Sequence, residues 1–222
     1  MDLFAGQQST TQKIVKDAYL LKGFALASEA QLLADLAQLI KAAPLRKMLM
    51  PSGFSMSVET SNCGDLGWIS NKNGYRYTTH DPLNNQPWPA MPESFKQLAQ
   101  QAASAVGYQH FEPDACLINQ YKVGARMGLH QDKNELDFSQ PIVSVSFGLP
   151  AIFQFGGFKR TDKTLRLLLE NGDVVVWGGE SRLRFHGILP VKAGINAALT
   201  CRINLTFRRA GKHMLKQSNQ PK

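Results

Sequence analysis

From residue 115 to residue 209 the chain reads as a series of short runs rich in β-branched and aromatic residues. They are "ACLINQYKV", "IVSVSFGL", "AIFQF", "TLRLLLE", "DVVVW", "FHGILPV" and "CRINLTFRR". Several alternate, which is the period of a strand with two unlike faces. Turn residues separate the runs, and "NGD" at 171–173 predicts a hairpin turn. Short strands at this spacing bury their apolar faces by stacking or closing sheets, so the C-terminal half is expected to form a sandwich or barrel. Two helical patterns precede it. "SEAQLLADLAQLIKAA" opens with Ser28 and Gln31 at capping-box spacing, and Leu32, Leu33, Leu36, Leu39 and Ile40 form its stripe. "PESFKQLAQQAASAVG" begins at Pro92 and stops before Gly107, with Phe95, Leu98, Ala99 and Ala102 on one face. Both helices are expected to pack outside the β core.

Hydrophobic residues make up 43% of 222, enough for a substantial core in one domain. Residues 44–91 differ in character. They are rich in Gly, Pro and Asn, yet carry Trp68, Tyr75, Tyr77 and Trp88. Two readings fit: a binding lid, or a hairpin whose aromatics cover the core. The cysteines Cys63, Cys116 and Cys201 form no CxxC pair, which argues against a zinc ribbon or iron–sulfur site and suits a reducing compartment. No apolar run approaches the ~20 residues of a membrane span. The N-terminus lacks the basic start and apolar stretch of a secretory signal. A cytoplasmic protein without a membrane partner is expected. The net charge of +8 favours an anionic partner, nucleic acid foremost, although part of it lies in the basic tail at 213–222.

Chemistry enters at "GLHQDKNE", residues 128–135. In an extended segment His130 and Asp132 point to the same side. A third ligand is available in "LRFHGI", at His186. Two imidazoles and one carboxylate make the facial triad of non-haem Fe(II) oxygenases, which leaves metal positions open for a co-substrate and O2. A hydrolytic zinc site, or core histidines bonded to Asp132, fit the same spacing. The last run narrows the choice. Arg202, Asn204, Thr206 and Arg208 share one parity of "CRINLTFRR", opposite Ile203, Leu205 and Phe207. Two inward arginines cannot both face an apolar core unpaired. They predict a dicarboxylate, and 2-oxoglutarate chelates iron through its keto acid while offering a second carboxylate. Asn119 and Tyr121 share parity on "CLINQY" and offer polar groups to the same pocket. The competing reading puts the arginines on a solvated face, paired with acids such as Glu170.

Several stretches together resemble the bacterial AlkB family of alkylation-repair dioxygenases: "NCGDLGW", "QPWPAMP", "FEPDACLINQY", "LHQDK", "IVSVSFGLPAIFQFGG", "DVVVWGGESR", "HGI" and "CRINLTFR". The resemblance implies a mainly β, α+β fold, a double-stranded β-helix or jelly roll with two outer helices. It implies a single dioxygenase domain over 1–212, with 44–91 as nucleotide-recognition lid and 115–210 as jelly-roll core. It carries His130, Asp132 and His186 to Fe(II). It carries Arg202 and Arg208 to 2-oxoglutarate, with Asn119, Tyr121 and Asn204 beside them. Trp68 would stack on the damaged base, and Tyr75 and Arg160 would contact the nucleotide and its strand. The implied reaction consumes O2 and 2-oxoglutarate, releases CO2 and succinate, and hydroxylates the N-methyl group of 1-methyladenine or 3-methylcytosine. Formaldehyde then leaves the intact base. A target inside a duplex must first leave the stack, so a monomer acting on single-stranded DNA is expected, with duplex DNA and RNA as further substrates. Asn134 stands where the family pattern "HQDKDE" has its second Asp, which bears on base preference. The rival readings are a 2-oxoglutarate-dependent hydroxylase of a protein or small molecule, and a non-catalytic jelly roll with a structural metal.

Overall fold

The alternation in "CRINLTFR" becomes the two faces of one central strand. A computed structural model describes residues 10–194 and 199–211. In chain order its elements are β1 (Thr11–Val15), β2 (Ala18–Leu21), α1 (Glu29–Ala42), β3 (Arg46–Leu49), β4 (Ser55–Gly64), β5 (Gly67–Asn71), β6 (Gly74–Thr78), α2 (Glu93–Ala105), β7 (Ala115–Lys122), β8 (Met127–His130), β9 (Ile142–Gly148), β10 (Ala151–Phe155), β11 (Leu165–Leu169), β12 (Val174–Trp177), β13 (His186–Ile188) and β14 (Cys201–Arg208). The larger sheet runs β1-β2-β12-β9-β14-β7-β4-β3, the smaller runs β11-β10-β13-β8, and β5 pairs with β6 alone. This is the jelly-roll-like, mainly β architecture with two helices that the sequence implies.

β14 lies between β7 and β9, antiparallel to both. Ile203, Leu205 and Phe207 join Val143, Val145 and Phe147 of β9 and Cys116 and Ile118 of β7 in a core covered by both helices. Phe95 of α2 meets Phe207 edge-on at 5.9 Å. Burying such a ring is worth about 1.5–3 kcal/mol, so this contact helps to pin α2 to the sheet. The opposite face turns toward the smaller sheet, where Phe153, Phe155, Trp177 and Ile188 form a second core. β9 and β12 are thus covered on both sides, which explains their nearly unbroken burial.

Local expectations are met unevenly. α1 buries Leu32, Leu36 and Leu39, but Leu33 is 38% exposed. Its N-cap Ser28 makes no side-chain capping bond, and Gln31 bonds to Asp35 instead, at 3.1 Å. The cause is the 3-10 turn Leu26–Ser28, which leaves Ser28 at φ −107°, ψ 2°, outside the extended conformation that a capping side chain needs. α2 follows Pro92, and the chain leaves it through Gly107 at φ +92°. The "NGD" segment does not close a hairpin. β11 and β12 belong to different sheets, and Asn171, Gly172 and Asp173 turn a corner between them. Asn171 accepts from the Gly148 N–H at 2.8 Å and donates to Glu29 at 2.9 Å, so the turn docks on the start of α1. The β1–β2 hairpin, not anticipated from sequence, lengthens the sheet beside β12.

In the 44–91 region, β4 joins the main sheet against β7 while β5–β6 stands off it. Ala43, Met48, Ile69 and Trp88 form a small core beneath that hairpin. Trp88 therefore lies within a core, while Trp68, packed against that core, and Tyr75 line a chamber. The basic tail at 213–222 lies outside the described residues.

Candidate functional site

β8 and β13 bring the two histidines together. His186 and His130 are direct cross-strand partners, and their rings lie 4.4 Å apart. The strands approach closely at Gly187, where a Cβ would sit 2.7 Å from the Met127 carbonyl oxygen. His130 Nδ1 faces the Gly128 carbonyl at 2.9 Å, and His186 Nδ1 faces the Arg184 carbonyl at 3.1 Å. A carbonyl only accepts, so each Nδ1 carries the proton and each Nε2 presents a lone pair. Those Nε2 atoms lie 3.5 and 3.8 Å from Asp132 Oδ1. Among the described residues, these three are the cluster whose donor atoms could share a metal ion, all within 4.8 Å of one another. Burial opposes a charge on Asp132. The Arg208 guanidinium, bonded to Asp132 Oδ2 at 2.6 and 2.8 Å, outweighs burial with help from Arg182 and holds the carboxyl well below its usual range. Burial pushes His186 down to about 4, so its imidazole is neutral and able to ligate at neutral pH. Two imidazole nitrogens and one carboxylate oxygen suit ferrous iron.

Behind this cluster the even-numbered face of β14 floors a narrow pocket of about 50 Å³. Asn119, Tyr121, Arg202, Asn204 and Arg208 all line it. Arg202 is 1% exposed, lies over the Tyr121 ring at 5.2 Å and donates from Nη2 to Ser146 at 2.9 Å. Among the described residues its Nε and Nη1, and Asn119 Oδ1, are buried without a hydrogen-bond partner. Buried donors of this kind are costly unless a ligand completes them. Burial pushes the Arg202 pKa down. The donors fit a small carboxylate. Glu170 is not the arginines' partner, because it pairs with Lys22 at 2.8 Å.

The triad also borders a wider chamber of about 480 Å³. Trp68, Tyr75, Asn134 and Arg160 line it, with Met50 and Met56. Trp68 and Tyr75 stack at 5.5 Å and 13°. Trp68 Nε1 donates to Asn134 Oδ1 at 3.5 Å. Arg160 donates to the Leu129 carbonyl and spreads over Phe185 at 5.3 Å. Of the groups that brace these walls, Tyr77 and Arg182 have no role assigned from sequence, and Glu135, the acid beside Asn134 expected to make up for its missing charge, is instead held inside the wall. Tyr77 donates to Glu135 at 2.7 Å, and Glu135 lies 3.3 Å from Arg182 and 3.5 Å from Arg208. Arg182 also donates to the Asp132 carbonyl at 2.9 Å. Burial pushes the Tyr77 phenol up. The parity of "YRY" and of "VSVS" could have flagged Tyr77, Ser144 and Ser146, whereas nothing local marks Arg182.

The family described as the 2OG-Fe(II) oxygenase superfamily matches residues 17–208. The alpha-ketoglutarate-dependent dioxygenase AlkB of Escherichia coli is 55% identical over 213 residues, 96% of this chain and 99% of that protein. The nucleic acid dioxygenase ALKBH1 of Mus musculus is 35% identical over 124 residues, 55% of this chain and 31% of that protein. The structure of OsALKBH1 superposes with a TM-score of 0.78 at 29% identity, covering 90% of this chain and all of that one. The chain belongs to the 2OG-Fe(II) oxygenase superfamily and, within it, to the AlkB dioxygenases that use Fe(II), 2-oxoglutarate and O2.

Proposed function

We propose that this dioxygenase oxidatively removes N-methyl groups from nucleic-acid bases, as in 1-methyladenine and 3-methylcytosine, with single-stranded DNA the preferred substrate. The observation that carries the reading is the pairing of a carboxylate-hungry inner pocket with an outer chamber walled by a stacked Trp68–Tyr75 pair, both bordering one His–Asp–His cluster. The nucleic-acid activity in the name of the ALKBH1 relative points the same way. A hydroxylase of proteins or small molecules would leave the aromatic wall without a task.

In this reading His130, Asp132 and His186 hold the iron. Arg208, already bound to Asp132, orients that carboxylate and faces the metal end of 2-oxoglutarate. Arg202 takes the far carboxylate through its two free N–H groups, with Asn119, Tyr121 and Asn204 fixing the chain between. Iron, 2-oxoglutarate and O2 together supply the oxidation of the N-methyl carbon to a hydroxymethyl group, which falls away as formaldehyde. Trp68 offers the cationic base stacking and cation–π attraction. Asn134, positioned by Trp68, presents a carbonyl oxygen to an exocyclic amine but adds no charge. Tyr75 and Arg160 hold the nucleotide at the chamber mouth. The enzyme is proposed to act as a monomer and in the cytoplasm.

The test is mass spectrometry of a short oligonucleotide carrying one 1-methyladenine, incubated with protein, Fe(II), 2-oxoglutarate and ascorbate. The expected result is loss of the methyl group with release of formaldehyde and succinate, and no turnover in His130→Ala or His186→Ala. Succinate released without demethylation of any methylated oligonucleotide would refute the substrate class, and full activity in either variant would refute the metal assignment.

A further inference from the structure

Beside the chamber, the turn between β10 and β11 displays an aromatic ring that the reading above does not use. Phe158 is 53% exposed. The guanidinium of Arg184 lies 4.9 Å from its centroid and covers one side. Arg184 is itself anchored, donating to the Gly156 carbonyl at 2.9 Å and to Ser181 at 3.1 Å. The turn is held just as firmly. Gly156 N–H donates to Phe185 O at 2.7 Å and Phe185 N–H to Gly157 O at 2.9 Å, which ties it to the segment entering β13. The Asp162 carboxylate accepts from the Lys159 N–H at 2.9 Å, and the Asp162 N–H returns a bond to Lys159 O at 3.0 Å. Gly157 is required there, because a Cβ would lie 2.1 Å from Asp162 Oδ2. A large apolar ring is thus fixed in the open, backed by a cation.

Its placement says what it suits. Arg160, two residues on, lies over Phe185, and both line the chamber. Phe158–Arg184 and Arg160–Phe185 are therefore crossed cation–π pairs between the same two segments, one at the chamber wall and one outside it. Residues 155–169 carry Lys159, Arg160, Lys163 and Arg166 against one acid, Asp162, whose carboxylate is engaged inside the turn. Basic side chains around a rigid aromatic face match a polyanion that also offers flat rings. A base inside a duplex has both faces occupied by its neighbours, whereas an unpaired base has a face to give.

We propose that Phe158, backed by Arg184, is a second stacking platform, which holds an unpaired nucleobase next to the target in the same strand. This rests on the nucleic-acid reading and supplies a physical source for single-strand preference, since the neighbour must leave its stack to reach the ring.

The experiment measures binding of the holoenzyme, anaerobic with Fe(II) and 2-oxoglutarate, to a fluorescent single-stranded oligonucleotide carrying one 1-methyladenine. An abasic site replaces each neighbouring nucleotide in turn. In the wild type, one abasic position should weaken binding about tenfold, the scale of one base–aromatic stack. Phe158→Ala should show that loss with the intact strand and lose nothing more at that position. Phe158→Tyr should restore both the affinity and the abasic penalty. Melting temperatures of the loaded variants check the fold, which a half-exposed ring should barely affect. Equal binding by wild type and Phe158→Ala overturns the platform, as does an abasic penalty that persists in Phe158→Ala. Failure of the wild type to bind any methylated strand instead overturns the nucleic-acid reading itself.

Discussion

Arg202 and His186 show how burial prepares single residues for ligands. Arg202 keeps two N–H groups without partners in a pocket too small for much else. Truncating one member of a buried, hydrogen-bonded charge pair costs about 2–5 kcal/mol. Arg202→Ala should therefore weaken 2-oxoglutarate binding by at least roughly thirtyfold, read by calorimetry with Mn(II) in place of iron. Arg202→Lys should not restore it, because an ammonium lacks the planar fork that meets Ser146 and a carboxylate together. Wild-type affinity in both variants would remove Arg202 from the co-substrate pocket. His186 titrates at about 4 in the folded chain against an ordinary 6.5. Between those values unfolding takes up a proton that the folded state refuses, so stability rises with pH there. The contribution is complete above pH 6.5 and is lost as pH falls toward 4. The melting temperature of metal-free protein should drop across this window, and His186→Gln should flatten the drop. An identical profile in that variant would mean that other groups set the acid limb.

At the scale of elements, the β5–β6 hairpin carries Trp68 and Tyr75 but joins neither large sheet as a paired strand. Its position depends on side chains: Asn62 of β4 exchanges two hydrogen bonds with the Trp68 backbone at 2.9 and 3.0 Å, Ser70 donates to the Leu49 carbonyl at 2.6 Å, and Trp88 packs beneath. Gly67 lies against Trp88, where an added Cβ would sit 2.3 Å from the ring. Trp88 has little room to yield, since it is 4% exposed and donates to the Thr78 carbonyl at 3.0 Å. Overpacking of this kind costs about 1–3 kcal/mol. Gly67→Ala should tilt the hairpin and raise the KM for methylated oligonucleotide up to roughly a hundredfold if that strain is relieved by displacing Trp68. Affinity for 2-oxoglutarate should stay where it was, because neither Gly67 nor Trp88 lines the inner pocket. A joint loss of both would show that the small core of Met48, Ile69 and Trp88 supports the whole sheet.

The molecule as a whole carries eight more basic than acidic charges. If its hold on a single strand includes about three phosphate contacts, a fourfold rise in salt should weaken binding roughly twentyfold, from a slope of about −0.7 per phosphate. Anisotropy titrations at several salt concentrations measure that slope. A slope near zero would mean that base contacts alone hold the strand and that the net charge serves another purpose.

What the sequence determined by itself lies in its short periods. A strand sends alternate residues to opposite faces, so Arg202, Asn204, Thr206 and Arg208 had to share one side, as did Asn119 and Tyr121. The alternation of β9 and β14 and the unbroken apolar run of β12 called for a sheet with an apolar cover. Pairing across distance was not written there. That His186 meets His130 follows from the register of β13 on β8. That "NGD" turns a corner follows from β11 and β12 joining different sheets. The turn before α1 cancelled the Ser28 cap. Tyr77, Glu135, Arg182 and Arg208 come from four separate segments, and no local period links them. Periodicity encodes which way a side chain points, and only the packed fold decides what it meets.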